Sequence, residues 1–216
     1  MQNQMERIYR LDKLVLKITR ADRLLGNVTS NTLDADRNAL LDRFGKIIVT
    51  FEQFRKGEEF FIIINPKFYG RLMAAIEKYM KLVKAEAGKT KLKVYFDLDG
   101  KIREGIAIPQ KKGQLVITEK ELETTVSDEE FTLFRLKNNI PLHGIDYDSE
   151  MLLNVSEDYV SYQKGCFVGQ EIIARVHHKS RPPKKLAVAA DSVDMTSRVK
   201  DPRTGKELGF AFAENK

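Results

Sequence analysis

Two apolar runs joined by a short polar turn, with a helix start directly after them, constrain the fold more than any other feature. Lys46–Phe54 and Glu59–Ile64 are rich in β-branched and aromatic residues, so they predict two strands. The four residues between them, 55–58, predict a hairpin turn. Asn65 and Pro66 predict a helix N-terminus, because asparagine caps free amides and proline suits the first helical position.

The segment after Pro66 carries apolar residues at helical spacing, and Gly88 predicts where that helix ends. This spacing indicates a helix with one apolar face. The residues on that face are Phe68, Leu72, Ile76, Tyr79 and Val83.

A second group of short strands and another helix follow. The helix is predicted to begin at Ser127, where Glu130 three residues later completes a capping box, and to end before Pro141. Because strands and helices alternate without a regular βαβ rhythm, we expect an α+β fold with mixed or antiparallel sheets. The predicted strands are Leu92–Phe96, Gly105–Ile108 and Gln114–Thr118, with further short strands within Leu186–Lys216 around a turn at 201–205.

The chain has one cysteine, in the segment YQKGCFVGQEIIARVHH. Gly165 and Gly169 flank Cys166 and predict a sharp turn there, and residues 170–176 predict a short helix directly after it. Free amides at a helix N-terminus favour a thiolate, and Lys164 adds positive charge nearby. The segment therefore predicts a reactive, solvent-reachable thiol. On spacing alone, a small buried apolar residue stays open as the alternative.

Charge and composition narrow the classes of protein. The chain has 37 basic and 31 acidic residues, and its net charge of +6 permits an anionic partner without demanding one. The longest apolar run, Phe60–Ile64, is far too short to span a bilayer, and the N-terminal segment lacks a signal-peptide core. A single cysteine cannot form an internal disulfide. We therefore expect a cytoplasmic protein without a membrane partner.

No metal site is expected, since His177 and His178 with Cys166 lack recognised zinc spacing. A compact basic run, 179–185, follows these histidines. It is typical of a solvated linker, and it leaves open a basic RNA-binding module.

Several motifs resemble one protein family. The run KGCFVGQE, Lys164–Glu171, closely resembles the K-G-C-[YF]-x-G-Q-E motif of the YgfZ-type folate-binding proteins. These relatives of the glycine cleavage T-protein include factors that help iron–sulfur enzymes mature. Arg135 and residues 140–146 resemble the family's R-x-x-x-G-[IV]-P-x-x-G-x-D segment, with Asn139 in place of the first glycine. Residues 22–31 resemble its D-A-x-x-F-L-x-x-x-x-T-N-D stretch more loosely.

The resemblance covers most of residues 8–190. It implies a T-protein-like folate-binding body over residues 1–185, with a central strand and helix insertion at about 60–126. Residues 186–216 are then a short C-terminal β segment, a truncated form of the β-barrel that family members usually carry.

The resemblance also implies a site. Cys166 is expected to be the functional thiol, and Lys164 the cation that keeps it anionic. Tetrahydrofolate or a derivative is the implied cofactor, and Arg135 is expected to meet a folate carboxylate as a bidentate donor. The implied cofactor-binding residues are Thr29, Asn31, Arg135, Gly165, Gly169, Gln170, Glu171 and Arg175.

One departure from the aminomethyltransferases bears on the reaction. Their strand in this region carries an acid for folate chemistry, whereas Gly45–Phe51 has none, and their G-Y-T-G-E motif is absent. A carboxylate matters because it can pair with the N–H groups of a pterin edge. Ordinary aminomethyl transfer is therefore not expected.

The resemblance thus favours a folate-binding accessory factor for iron–sulfur enzyme maturation, more than a transferase. Its expected partners are iron–sulfur enzymes or assembly proteins, with tRNA and tRNA modification as a further implied link. A tetrahydrofolate-dependent one-carbon transferase using Cys166 or Glu171 is the first alternative. An RNA-binding module based on the basic run 179–185 is the second.

Overall fold

A computed structural model describes residues 6–179 and 181–215, and it confirms the α+β class. The two larger sheets are antiparallel throughout. The strands are β1 (Ile8–Leu11), β2 (Leu14–Ile18), β3 (Arg37–Leu41), β4 (Ile47–Lys56), β5 (Glu59–Ile64), β6 (Ala87–Lys89), β7 (Lys93–Asp97), β8 (Ile106–Pro109), β9 (Gln114–Thr118), β10 (Lys184–Ala190), β11 (Thr196–Lys200) and β12 (Glu207–Glu214).

Five helices accompany the strands in the described part of the chain. They are α1 (Ala21–Leu25), α2 (Tyr69–Val83), α3 (Asp128–Lys137), α4 (Leu152–Val155) and α5 (Gln170–Lys179), and a 3-10 turn, Pro66–Phe68, precedes α2.

Contacts divide the described residues into two compact units. The first unit contains residues 6–13, 91–146 and 187–211; the second contains 14–90, 147–179, 181–186 and 212–215. These units are each built from distant parts of the sequence. The predicted division of the chain at residue 185 stays a prediction.

The second unit is built on a five-stranded sheet with the order β3-β4-β5-β2-β6. The predicted hairpin lies at its centre, where Lys56 of β4 pairs with Glu59 of β5. Its loop is shorter than predicted, only Gly57 and Glu58, and Gly57 has a positive φ of 60°. Glycine adopts such a φ without steric cost, so the tight loop forms here.

Helix α2 supplies the other half of this unit's core. The Asn65 side chain accepts the Lys67 amide at 3.0 Å, which confirms the predicted cap, although it caps the 3-10 turn. The predicted apolar face is confirmed, since Phe68, Leu72 and Ile76 are fully buried. Each such side chain contributes roughly 1.5–3 kcal/mol through burial.

The predicted end of this helix at Gly88 is wrong. The helix ends at Val83, and Lys84 closes it in the left-handed conformation with φ 54°. Gly88 lies in β6, opposite Lys17 of β2. A lysine can occupy the left-handed region at a modest energetic cost, so glycine content alone misplaced the helix terminus.

The first unit contains a four-stranded sheet with the order β1-β7-β9-β8. Asp97, at the end of β7, is fully buried and accepts the amides of Asp99, Gly100 and Ile102 at 2.8–3.0 Å. The buried carboxylate thereby satisfies the free amides of the turn that follows β7. In the same unit β11 and β12 pair antiparallel around the predicted turn at 201–205.

Helix α3 of the first unit begins as predicted. The Ser127 hydroxyl accepts the Glu130 amide at 3.2 Å, but the Glu130 carboxylate pairs with Arg7 at 2.8 Å instead of completing the capping box. The helix ends at Lys137, and Asn139 has a φ of 49°. Asparagine tolerates this left-handed conformation, so it can stand where the resembling family has glycine.

Candidate functional site

The cysteine segment lies in the second unit, and its predicted local structure is confirmed. Cys166 is exposed in a loop that precedes α5, which begins at Gln170. The next residue, Phe167, is buried, and its carbonyl accepts the Gln170 amide at 3.2 Å. The loop therefore turns one side chain inward and leaves the thiol in solvent.

Lys164 joins this loop to a distant segment of the same unit. Its ammonium donates to the Thr29 carbonyl at 2.5 Å, the Thr29 hydroxyl at 3.2 Å and the Asn31 carbonyl at 3.0 Å. We call these three contacts the Lys164 anchor. The sequence predicted that Lys164 supplies positive charge to the thiol. In the structure its ammonium instead donates to neutral oxygens of Thr29 and Asn31. Desolvation lowers the pKa of Lys164 to about 8.

The segment that receives Lys164 is buried and closely bonded. The Asn31 amide N–H donates to the Asn38 side chain at 2.7 Å, and the Asn31 side chain donates to the Arg37 and Asp158 carbonyls. The Thr29 hydroxyl donates to the Leu25 carbonyl. The structure thus brings Thr29 and Asn31 together with Lys164, but it uses their side chains inside the protein.

The two glycines beside Cys166 have different roles. Gly169 has a positive φ of 85°, and a Cβ placed on it would lie 2.5 Å from the Asp42 carbonyl oxygen. Gly165 has no such close neighbour and no positive φ. Only Gly169 is therefore required by the backbone, and the expectation that both glycines shape the turn needs this correction.

Helix α5 presents the other predicted residues of the motif. Glu171 accepts a hydrogen bond from Arg175 at 2.7 Å, one turn along the helix, and both side chains are exposed. The opposite face is anchored by Ile173, which is buried. Glu171 and Arg175 are thus available to a ligand, because binding would break only the weak, exposed ion pair between them.

Arg135 lies in the first unit and is occupied within the protein. Its guanidinium donates to the Asp146 carboxylate at 2.6 Å, and the two side chains are 3% and 0% exposed. It also donates to the Ile140 carbonyl and to the Ser197 hydroxyl. This differs from the expectation that Arg135 meets a folate carboxylate, because the counter-charge is the chain's own Asp146.

A carboxylate that the sequence interpretation did not select lies on β4 of the second unit. Glu52 follows directly after the acid-free stretch, and its charge contributes to raised pKa values at two tyrosines. Burial, aided by Glu52, raises the pKa of Tyr159 to about 12, and burial raises that of Tyr147 well above 10. The Tyr147 hydroxyl also bonds Thr50 at 2.9 Å. The only sequence signal was strand alternation, which places Thr50 and Glu52 on one face.

Metal-ligating side chains do not cluster in the described residues: no group of three or more His, Cys, Asp or Glu side chains could hold an ion there.

The two histidines after Arg175 are involved in aromatic contacts. His177 stacks on Tyr162 with ring centroids 3.7 Å apart, and His178 meets the edge of His177.

Comparisons with known proteins now bear on this geometry. No protein-family model matches the chain. It is 37% identical over 68 residues to a mitochondrial iron–sulfur cluster assembly factor, the IBA57 homolog of Mycosarcoma maydis. That match covers 29% of this chain and 17% of that protein. The structure resembles aminomethyltransferase T of the glycine cleavage system from Bartonella henselae with a TM-score of 0.71.

The YgfZ-type resemblance is confirmed. The structural likeness covers 96% of this chain and 78% of the aminomethyltransferase at 12% identity, so it establishes the T-protein-like fold alone. None of the helices in residues 6–179 and 181–215 has the length and apolar character needed to cross a membrane.

The resemblance to the YgfZ-type family implies folate, and the residues of this chain fit that cofactor in part. A folate offers a pterin edge rich in N–H groups and a carboxylate-bearing tail. Glu52 and Glu171 would supply carboxylates for such N–H groups, and Arg175 would supply an exposed guanidinium. Thr29, Asn31 and Arg135 fit less well, because their side chains are buried.

Proposed function

We propose that this chain supports the maturation of iron–sulfur proteins and that Cys166 is its functional thiol. One observation carries the proposal: the exposed Cys166 lies on a loop fixed on both sides, by the Lys164 anchor and by the contact of Gly169 with Asp42. A packing cysteine has no need of such a setting. The likeness to an iron–sulfur cluster assembly factor supports the same reading.

A single thiol limits the chemistry. Iron–sulfur clusters normally need about four protein ligands, and the described residues offer no cluster of ligands beside Cys166. Cys166 therefore acts together with a partner protein. Either it shares a cluster whose other ligands the partner provides, or its thiolate attacks a disulfide of that partner, forms a mixed disulfide and releases the partner's other sulfur as a thiolate.

Reduced folate is the proposed cofactor. In this proposal Glu52 accepts N–H groups of the pterin, and Arg175 meets a tail carboxylate. Folate supplies one-carbon or redox chemistry when it is bound; the residues of this chain only bind and orient it. The fold likeness to an aminomethyltransferase favours a one-carbon transferase as the second candidate function.

The thiol is tested by complementation. Cells lacking the protein receive the wild-type chain, Cys166→Ser, or Gln163→Ser as an exposed control in the same loop. We expect Cys166→Ser to fold normally, because its site is exposed, and to abolish support of an iron–sulfur enzyme's activity. The Gln163→Ser chain should support it fully. Full support by Cys166→Ser would overturn the role of the thiol.

Folate binding is tested by calorimetry with tetrahydrofolate. We expect micromolar affinity, equivalent to about −8 kcal/mol. Glu52→Gln should weaken it by about 1.5–3 kcal/mol, the value of a charged hydrogen bond. Glu58→Gln, an exposed change on the same hairpin, should leave it unaltered. Absence of binding to any reduced folate would contradict the cofactor. Turnover with a methylamine donor would favour the transferase.

Three finer predictions stay open: a cytoplasmic location, a link to tRNA modification, and RNA binding by the basic run 179–185. Ser180 of that run lies outside the described residues. RNA binding predicts a steep fall in tRNA affinity as salt is raised.

A further inference from the structure

The turn between β3 and β4 holds an aromatic side chain out in solvent. The Asp42 carboxylate accepts the amides of Phe44 at 2.8 Å and Lys46 at 2.9 Å, and the Asp42 carbonyl accepts the Gly45 amide at 3.1 Å. The backbone of the turn is therefore fixed by its own hydrogen bonds. The Phe44 side chain is nevertheless 56% exposed. A single exposed apolar side chain is ordinary, so the position of Phe44 matters only through the exposed residues beside it.

This turn contacts the loop that carries the thiol. A Cβ on Gly169 would lie 2.5 Å from the Asp42 carbonyl and 3.2 Å from the Gly45 Cα, so the two backbones touch. On the thiol loop Cys166 is exposed and Val168 is 36% exposed. We call five exposed residues of the two touching turns the thiol-side patch: Arg43, Phe44, Lys46, Cys166 and Val168.

The thiol-side patch is positively charged at its edge. The Arg43 guanidinium lies 4.6 Å from the centroid of the Phe44 ring, and Lys46 is exposed on the same turn. Among residues 6–179 and 181–215 no carboxylate forms an ion pair with Arg43 or Lys46. The nearby acids are already engaged: Asp42 with amides of its own turn, and Glu171 with Arg175.

We propose that the thiol-side patch docks an acidic partner protein that presents metal-binding thiolates to Cys166. This inference rests on the proposed function and names the surface that it uses. Phe44 and Val168 enter an apolar depression of the partner, and Arg43 and Lys46 meet carboxylates at its rim. A desolvated aromatic centre within a charged rim is the usual arrangement of an energetically important contact.

Two other occupants are disfavoured by charge. A second copy of this chain in a two-fold interface would place like-charged patches against each other. RNA could stack a base on Phe44, but nucleic-acid affinity depends mainly on neutralising phosphates with many cations, and this patch offers two.

The surface is tested by placing a photoreactive benzoylphenylalanine at position 44 of the full chain in cells. Position 82 on α2 is the control, because Leu82 is a more exposed apolar residue, 80%, outside the patch. Adducts are identified by mass spectrometry. We expect position 44 to cross-link an iron–sulfur-binding protein through an Asp- and Glu-rich segment, and position 82 not to. Arg43→Glu should weaken this adduct about tenfold or more, and a Lys substitution of the partner's acid should restore it.

The outcomes separate docking from thiol chemistry. If the adduct persists with Cys166→Ser while that variant fails in complementation, both proposals stand. If the adduct persists and Cys166→Ser complements fully, docking stands and the thiol's role fails. An adduct with RNA, an adduct with a second copy, or a yield no higher than at position 82 overturns the docking surface. Phe44→Ser serves as a folding control, with an unfolding midpoint expected to match wild type.

Discussion

Arg135 and Lys164 are two cations held inside different units, and they are held in opposite ways. Arg135 of the first unit meets the buried carboxylate of Asp146. Lys164 of the second unit is half-buried and meets only neutral oxygens of Thr29 and Asn31. In the first case attraction between charges offsets desolvation; in the second, desolvation lowers the pKa of the lysine to about 8. Arg135 keeps its charge because a guanidinium does not lose its proton in a protein, whereas the ammonium of Lys164, which has no counter-charge, can titrate.

The largest expected effect comes from removing the counter-charge of Arg135. Asp146→Asn leaves a buried guanidinium without a negative partner, so the free energy of unfolding should fall by about 3–5 kcal/mol. Urea unfolding measures it. The matched control is Asp148→Asn, whose exposed pair with Arg71 should contribute about 0–1 kcal/mol. A loss below 1 kcal/mol for Asp146→Asn would show that the pair is not essential to the unit.

Alanine substitutions of the two glycines beside Cys166 test how strongly the backbone conformation fixes the thiol loop. Gly169→Ala forces a Cβ against the Asp42 carbonyl at a positive φ, so it should reduce the unfolding free energy by about 2–3 kcal/mol. Gly165→Ala, in open space five residues before the start of α5, should change it by less than about 0.5 kcal/mol. Equal costs for the two changes would contradict the different roles assigned to these glycines.

Removing the ammonium of Lys164 should have a smaller effect than removing Asp146. Lys164→Met removes the three hydrogen bonds of the anchor, which should cost about 1–2 kcal/mol in chemical denaturation. The Asn31 carbonyl keeps the Asn38 side-chain amide as a donor. Lys81→Met, which removes an exposed lysine from α2, is the control and should stay within about 0.5 kcal/mol. If Lys164→Met left the unfolding free energy unchanged, water would replace the ammonium at the three oxygens without loss of stability.

The smallest effect is a dependence on pH that only the second cation should show. The pKa of Lys164 is about 8 in the folded protein, whereas an unperturbed lysine, as in the unfolded chain, has a pKa of 10.5. Between these two pH values the unfolded chain therefore binds more protons than the folded protein. Stability then rises with pH across that window. The urea midpoint of wild type relative to Lys164→Met should therefore increase from pH 7.5 to 9.5. A constant or falling difference would show that the hydrogen bonds to the three oxygens stabilise the charged ammonium more than desolvation destabilises it.

Local signals in the sequence predicted local structure well. The hairpin, the Asn65 and Ser127 caps and the helix after Cys166 all depend on neighbours within a few residues, and all are present. The end of α2 escaped prediction, because Lys84 adopts a conformation that sequence reasoning reserves for glycine. The exposure of Cys166 was predictable for the same reason as the caps: the turn and the helix that create it are adjacent in sequence.

The sequence by itself determined the α+β class, the motif around Cys166 and the exposure of its thiol. Only the tertiary structure decided which partners the charged residues take. Lys164 bonds oxygens 133 and 135 residues earlier, and Arg135 bonds Ser197, 62 residues later. Folding selects such partners by jointly minimising the desolvation of many buried polar groups. No short segment contains that information, because each pairing depends on where the rest of the chain leaves its own donors and acceptors.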